Sequence, residues 1–411
     1  MTDDRTDQAD AARQGGMAMT DDRTDQADAA PREDHQSEDL WTAAAMRRRP
    51  GLYVGSVDEY GIHRMLWGVV AEGIHEYLVG RAGQIIVCIL ADGGVSVAHD
   101  GQGYAGEQDH TGEGTLHDTL TGAPRLPARE GNDRLYDHYG ASLPAVNGLS
   151  ARLVADVRRD GATWRQDYAR GKAQGCIVRV GPAESTGLTI TFWPDPAIFG
   201  PATFRRDQVL EWLREACYLN AGLRAEVSDT GSAAQTTTFH FLDGLRSYVR
   251  ALNAGQKPLH EPISASDKVG TTRISVALQY HAGGQETLVD YANGCSTPWD
   301  GTHVAGFRAG LRGTLNTLGE QAGLLDNGPL GATEVRAGLC AVVSVWVDHV
   351  QNGGSSGLKL SNPGVRAHVA ATTREALTRH FKDNPADLVA LAGHLRRVPF
   401  TGAAPSPVTA W

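Results

Sequence analysis

The chain has 411 residues, 41% of them apolar, with 38 Lys and Arg against 48 Asp and Glu and a formal net charge of −10. Twelve acidic and four basic residues fall within the first 40, which leaves 36 acidic and 34 basic residues in the remaining 371, a part close to neutral. A generic nucleic-acid binder with a broad basic field is therefore disfavoured, and the apolar content suffices for a sizeable core, expected to be split between two domains.

Cys88, Cys176, Cys217, Cys295 and Cys340 stand at least 41 residues apart and form no CxxC pair. Neither a zinc knuckle nor a disulfide framework is suggested, and free thiols in a reducing cytoplasm are expected. The sequence shows no N-terminal apolar signal segment, and its longest apolar stretch, Ala341 to Val347, is interrupted by Ser344. A cytoplasmic protein without membrane spans is the expectation.

Met1 to Ala12 is repeated at Met19 to Ala30, and residues 1–37 read as a disordered acidic tail carrying that 12-residue duplication. Order is expected from about Asp39. Leu66, Val70, Ile74, Tyr77 and Leu78 recur at helical spacing. Gln84–Leu90 and Val95–Ala98 flank Asp92-Gly93-Gly94 and predict a hairpin; Arg152–Arg158 and Thr163–Tyr168 flank Asp160-Gly161 and predict a second. Further strands are expected at Cys176–Val180 and Leu188–Phe192. Residues 106–140, rich in Gly, Asp and His without a clear period, read as a long loop, and Gln208–Leu219 as an amphipathic helix. A second αβ block runs from about Phe239, with a strand at Ile274–Tyr280, a helix around Val304–Leu324 and a strand at Ala341–Val347. Hairpins mixed with helices indicate an α+β fold in two domains.

Several segments, taken in order, resemble the ATPase half of the DNA gyrase B subunit and its topoisomerase IV relative. Arg48-Arg49-Pro50-Gly51-Leu52-Tyr53-Val54-Gly55-Ser56 looks like the family's "RKRPGMYIGS". Gly61-Ile62-His63 and Trp67-Gly68-Val69-Val70 stand where "GLHH…WEVV" would, and Phe192-Trp193-Pro194-Asp195 is similar to its "FWPD" strand end. Leu278-Gln279-Tyr280 and Gly301-Thr302-His303-Val304-Ala305-Gly306-Phe307-Arg308-Ala309 match its transducer. The resemblance covers about residues 40–380. It implies a gyrase-B-type ATPase-like α/β sandwich over 38–235, a ribosomal-S5-like transducer over 236–400 and a tail over 401–411, without the family's C-terminal cleavage module.

The residues that carry the family's chemistry differ. In its helix "EVVDNSIDE" the first Glu activates water and the Asn binds Mg²⁺; here those positions are Gly68, which cannot accept a proton, and Glu72. The family's adenine-binding Asp in "DxGxG" falls at His99, and the adjacent Asp100 points to the opposite face of an extended strand. The phosphate lid "GGLHGVG" reads Tyr136-Asp137-His138-Tyr139-Gly140-Ala141-Ser142, and the catalytic Lys of "QTK" falls at Gly357, with Lys359 matching a later family Lys. ATP hydrolysis and tight ATP binding are not expected.

Glu72, His75 and Glu76 share one helix face at i, i+3 and i+4, the face that the resemblance turns toward the nucleotide. Glu72 and His99 are the candidate catalytic pair, since a carboxylate and an imidazole near neutrality can exchange protons. His75, Glu76, Asp100, Gln102, Tyr104, His138, Tyr139, Arg159 and Leu188 are the candidate substrate-binding residues. Arg159 matches a family Arg near the pocket mouth, and Leu188 stands at a hydroxyl-bearing pocket position. His110 and His117, with Asp109 and Asp118, show no metal-ligand spacing, so no metal and no cofactor are expected. The expected function is a repurposed pocket for a small organic molecule: a cofactor-free acid/base enzyme of secondary metabolism, of the condensation or cyclisation class, a Pictet–Spengler ring closure being one example. The alternative is a non-catalytic gyrase modulator or antibiotic-sequestering protein, for which gyrase subunits would be partners. A homodimer is possible in either case, and nucleic acid is a poor fit.

Overall fold

The computed structural model describes residues 41–104, 115–122, 140–231, 235–297, 300–348, 350–353 and 359–405. The acidic tail expected at 1–37, and His110, His138, Tyr139 and Gly357, lie outside these residues.

Helix α1 (Ala43–Arg48) starts where the Thr42 hydroxyl accepts from the Ala45 N–H, and α2 (Gly51–Val54) follows Pro50. Asp58 opens the long α3 (Glu59–Leu78) by accepting from the Tyr60 and Gly61 N–H groups, which would otherwise lack partners in the first turn. Ile62, Met65, Leu66, Val69, Val70 and Ile74 of α3 are buried, a stripe at helical spacing.

Strands β1 (Gln84–Ile89) and β2 (Val95–His99) pair antiparallel, as the alternation and the glycine turn predict. Then come α4 (Leu116–Thr121), α5 (Leu143–Leu149), β3 (Ser150–Arg159) and β4 (Ala162–Ala169). The β3–β4 turn places Asp160 at φ 54° and Gly161 at φ 73°, the doubly left-handed geometry that Asp-Gly adopts at low strain and that suits the twist of a hairpin. Next are β5 (Lys172–Ala173), β6 (Val178–Pro182), β7 (Gly187–Pro194), α6 (Pro196–Phe199), α7 (Arg206–Leu219), β8 (Arg224–Asp229) and β9 (Thr237–His240). These nine strands form one sheet ordered β5-β4-β3-β7-β2-β1-β8-β9, with β6 also on β4; only β1 and β8 pair in parallel. Helices α3, α5 and α7 lie against it, and the Trp67 ring of α3 packs on Trp212 of α7 with centroids 4.1 Å apart. Burying aromatic and aliphatic side chains of this size contributes roughly 2 kcal/mol each.

The second sheet has the order β10-β11-β14-β12-β13. It is built from α8 (Leu245–Leu252), β10 (Ile263–Val269), β11 (Thr272–Tyr280), β12 (Thr287–Ala292), β13 (Cys295–Ser296), α9 (Thr302–Gln321) and β14 (Leu339–Trp346). A two-stranded pair β15 (Asn352–Gly353) and β16 (Lys359–Leu360) precedes α10 (Pro363–Asp383) and α11 (Pro385–Arg397). Every residue of the central β14 is buried, which explains its near-continuous apolar run. Gly306 and Gly310 let α9 meet α10 backbone to backbone: a Cβ at 310 would lie 3.0 Å from the Ala370 Cα. Tyr218 of α7 stacks on Tyr248 of α8 at 4.7 Å, joining α7 to a buried cluster with Tyr291, Cys340 and Val342 of the second sheet.

One expectation is corrected. The stretch 106–140, read as loop, contains α4, whose Thr115 hydroxyl accepts from the Asp118 N–H while the Asp118 carboxylate accepts from the Thr115 N–H. Leu116 and Leu120, one turn apart, are both buried and give this short helix its apolar face. No helix among the described residues is long and apolar enough to cross a membrane.

Candidate functional site

The candidate residues converge where α3 crosses the end of β2. Glycine makes the approach possible: a Cβ at Gly73 would lie 3.0 Å from Ile85 and 3.3 Å from the His99 Cβ, so the helix sits directly on the strand. Gly101 does the same for the segment after β2, where a Cβ would meet the Glu76 carboxylate at 2.7 Å. The Gln102 N–H donates to Glu76 Oε2 at 2.9 Å, and Arg81 stands 3.6 Å from the other Glu76 oxygen. Glu76 is buried and thereby ties the loop to the helix. Glu72, one turn earlier, accepts a hydrogen bond from the Tyr104 hydroxyl. His75, on the same face, is half-buried.

His99 is 4% exposed. Its cross-strand neighbours are Ile85 on β1 and Leu188 on β7. Burial pushes the imidazole pKa down, against the upward pull of Glu72, Glu76 and Asp100. The ring therefore stays neutral at pH 7, and the near-neutral titration expected of it gives way to a lower one. The Gly101 N–H donates to Nδ1 at 3.2 Å, so the ring proton resides on Nε2. That Nε2 is buried and has no hydrogen-bond partner among the described residues.

Asp100 points the other way, as strand alternation requires. Its Oδ1 accepts from the Gly83 and Gln84 N–H groups at 2.8 and 2.9 Å, so the side chain expected to bind substrate anchors the start of β1. Leu188 is 1% exposed and lies in the apolar core beside His99. Arg159 donates to the Gly103 carbonyl at 3.3 Å and has its Nε 3.7 Å from Asp160. Of the substrate-binding candidates, His138 and Tyr139 lie outside the described residues.

Two features escaped the sequence reading. Gly68 is more than a missing carboxylate: the backbone of Gly140 and Ala141 lies against it, with the Ala141 N–H donating to the Arg64 carbonyl at 2.8 Å. Paired glycines at 68 and 140 are the signal, but their contact spans about 70 residues and no local pattern announces it. The second is a buried set in the second sheet, where His303 Nε2 lies 3.0 Å from both Asp290 Oδ2 and Thr297 Oγ1. His303 is fully buried, and this set ties the start of α9 to β12.

The DNA gyrase B family model matches residues 244–397. The DNA gyrase B protein of Mycolicibacterium smegmatis is 34% identical over 379 residues, covering 84% of this chain and 56% of that protein. Its Archaeoglobus fulgidus counterpart is 34% identical over 351 residues, covering 83% and 55%. The chain thus spans about half the length of the curated relatives it matches. Among solved structures, the 43K ATPase domain of Thermus thermophilus gyrase B in complex with an aminocoumarin aligns with a TM-score of 0.77 at 27% identity, covering 88% of this chain and 95% of that one. The B-subunit of the DNA gyrase from Myxococcus xanthus aligns with a TM-score of 0.73 at 26% identity, covering 85% and 99%. By fold, by family model and by these relatives, the chain belongs to the gyrase-B-like family.

Proposed function

We propose that this gyrase-B-like chain does not hydrolyse ATP and that its former nucleotide site takes a small organic molecule. In this reading 38–235 is the ATPase-like part and 236–400 the transducer-like part of a cytoplasmic protein. The observation that carries it is the contact of Gly140 and Ala141 with Gly68. Where the family resemblance puts the water-activating carboxylate, backbone fills the space that any side chain would need. His99 supports the same reading, because a neutral imidazole whose proton sits on Nε2 cannot accept from the amine of adenine as an Asp does.

Chemistry in such a site is acid/base work of the condensation or cyclisation class. The Tyr104 hydroxyl and the Glu72 carboxylate form a ready donor–acceptor pair, and Glu72 acts electrostatically on the His99 imidazole. The test is native mass spectrometry of the full chain purified from its own host without added nucleotide, together with phosphate release from Mg-ATP. A bound mass that is not a nucleotide, with no phosphate release above background, is the expected result. Bound ATP or its turnover would overturn the reading, and gyrase subunits co-purifying with an empty chain would replace it with the modulator alternative.

A further inference from the structure

This inference rests on the small-molecule reading above and names the chemistry of the ligand. Three carboxylates act electrostatically on His99, and each already has partners: Glu72 takes the Tyr104 hydroxyl, Glu76 the Gln102 N–H and Asp100, pointing away, the N–H groups of Gly83 and Gln84. The imidazole differs. Its Nδ1 is held as an acceptor by the Gly101 N–H, and its Nε2 is buried with no partner among the described residues. A buried donor left without an acceptor is destabilising, and a ligand supplying the acceptor would relieve it.

We propose that the His99 Nε2–H is the recognition donor of this site and that it selects a ligand presenting a neutral carbonyl oxygen. The hydrogen-bond polarity at this position is then the reverse of the Asp acceptor that the family resemblance places there. The preference for a neutral acceptor follows from the surroundings. Glu72 and Glu76 face the ring from α3 and Asp100 follows it on the chain, and each acts on the ring more strongly than the Arg158 guanidinium, so an anionic carboxylate would be repelled. An exocyclic amine would set donor against donor.

A pair of probes of nearly equal shape separates the possibilities: 1-methyl-2-quinolone offers only a carbonyl acceptor, and 2-aminonaphthalene, with no ring nitrogen and neutral at pH 7, offers an amine donor. The measurement is ¹⁵N NMR of the histidine ring nitrogens in the full chain, free and titrated with each probe. The expected results are a His99 ring protonated at Nε2, and binding of the quinolone at least tenfold tighter than the amine with the Nε2 resonance moving on binding. H99D, whose carboxylate only accepts, reverses the preference. A ring protonated at Nδ1, or a wild-type preference for the amine, overturns the assignment while leaving the small-molecule reading standing. An Nε2-protonated ring with no binding of either probe at millimolar concentration overturns both.

Discussion

Gly68 of α3 and Ala141 are in backbone contact: a Cβ at position 68 would lie 2.9 Å from the Ala141 carbonyl carbon and closer still to its oxygen. The contact is reciprocal, since a Cβ at Gly140 would lie 2.8 Å from the Trp67 carbonyl carbon. Two glycines thus set how closely the chain entering α5 approaches α3. The relationship yields a prediction whose sign is unusual. In an exposed helix, Gly→Ala stabilises by about 1 kcal/mol through helix propensity. Gly68→Ala is instead expected to destabilise by about 1–3 kcal/mol, because the obstacle is backbone and cannot rotate away. The control is Gly313 of α9, exposed and with nothing within 4 Å of an added methyl, where the same substitution should stabilise. Urea denaturation of both variants checks this, and shifts of the same sign would refute the packing argument.

Gly68→Glu tests the functional side of the same contact. Restoring a carboxylate at this position should not restore ATP turnover, since the longer side chain must displace the Gly140–Ala141 segment before it can reach anything. The expected variant has a lowered thermal midpoint and no phosphate release from Mg-ATP. Turnover by this single substitution would show that the segment moves freely and that Gly68 alone blocks the chemistry.

Much of the fold is legible in local sequence, and the parts that are not share a cause. The β1–β2 and β3–β4 hairpins follow from alternation around Gly-containing turns, and β14 from an apolar run buried on both faces. Helix α4 is hidden because two leucines are its whole apolar face, in a stretch otherwise rich in polar residues. Helix α10, with no expectation made for it, buries Thr372 and Thr373 beside Val369, Ala376 and Leu377, so its stripe is weakened by hydroxyls that donate back to the helix carbonyls. At the candidate site, side-chain type and spacing place Glu72 and Glu76 on one face, whereas their partners come from loop geometry. The fixed tautomer of His99 and the anchoring of β1 by Asp100 depend on backbone N–H groups, which residue identity does not reveal.

Asp195, from the motif after β7, gives a pH-dependent prediction. It is 1% exposed, caps α6 through the Ala197 N–H at 2.9 Å, and pairs with Arg47, with Arg170 at 3.3 Å. Burial alone would raise its pKa; the Ala197 N–H and the two guanidinium groups outweigh that and hold it below the ordinary 3.8. A carboxylate depressed in the folded state adds stability that is present above the unfolded value and lost as pH falls through the folded one. Asp195→Asn should therefore cost about 2–4 kcal/mol at pH 7, and the gap to wild type should narrow as pH falls below 3.8. Denaturation curves at pH 7 and pH 3 decide it; a gap that does not change with pH would mean that shape, not charge, is what Asn disturbs.

Glu215 of α7 predicts the opposite slope. Its carboxyl end is sunk against Tyr291 of β12, whose hydroxyl lies 3.0 Å from that of Tyr248, although the residue as a whole keeps some solvent contact. Burial raises its pKa from 4.5 to about 7; the Tyr291 hydrogen bond and Arg214 pull it down and Glu211 pushes it up, and burial wins. Below 4.5 the carboxyl is protonated in both the folded and unfolded states, so it adds no pH dependence there. Between about 4.5 and about 7 the folded state holds a proton that the unfolded state has released, and stability falls as pH rises. The total is on the order of 3 kcal/mol, reached above the folded value. Glu215→Gln keeps a hydrogen-bonding group for Tyr291 without a charge to bury. It should match wild type near pH 4.5 and exceed it by roughly 2–3 kcal/mol at pH 8, with the difference opening between those values. Urea titrations of the two proteins across that range supply the difference directly, free of every other group that titrates in both. Parallel profiles would show that solvent reaches the carboxylate and that its charge is not buried against the second sheet.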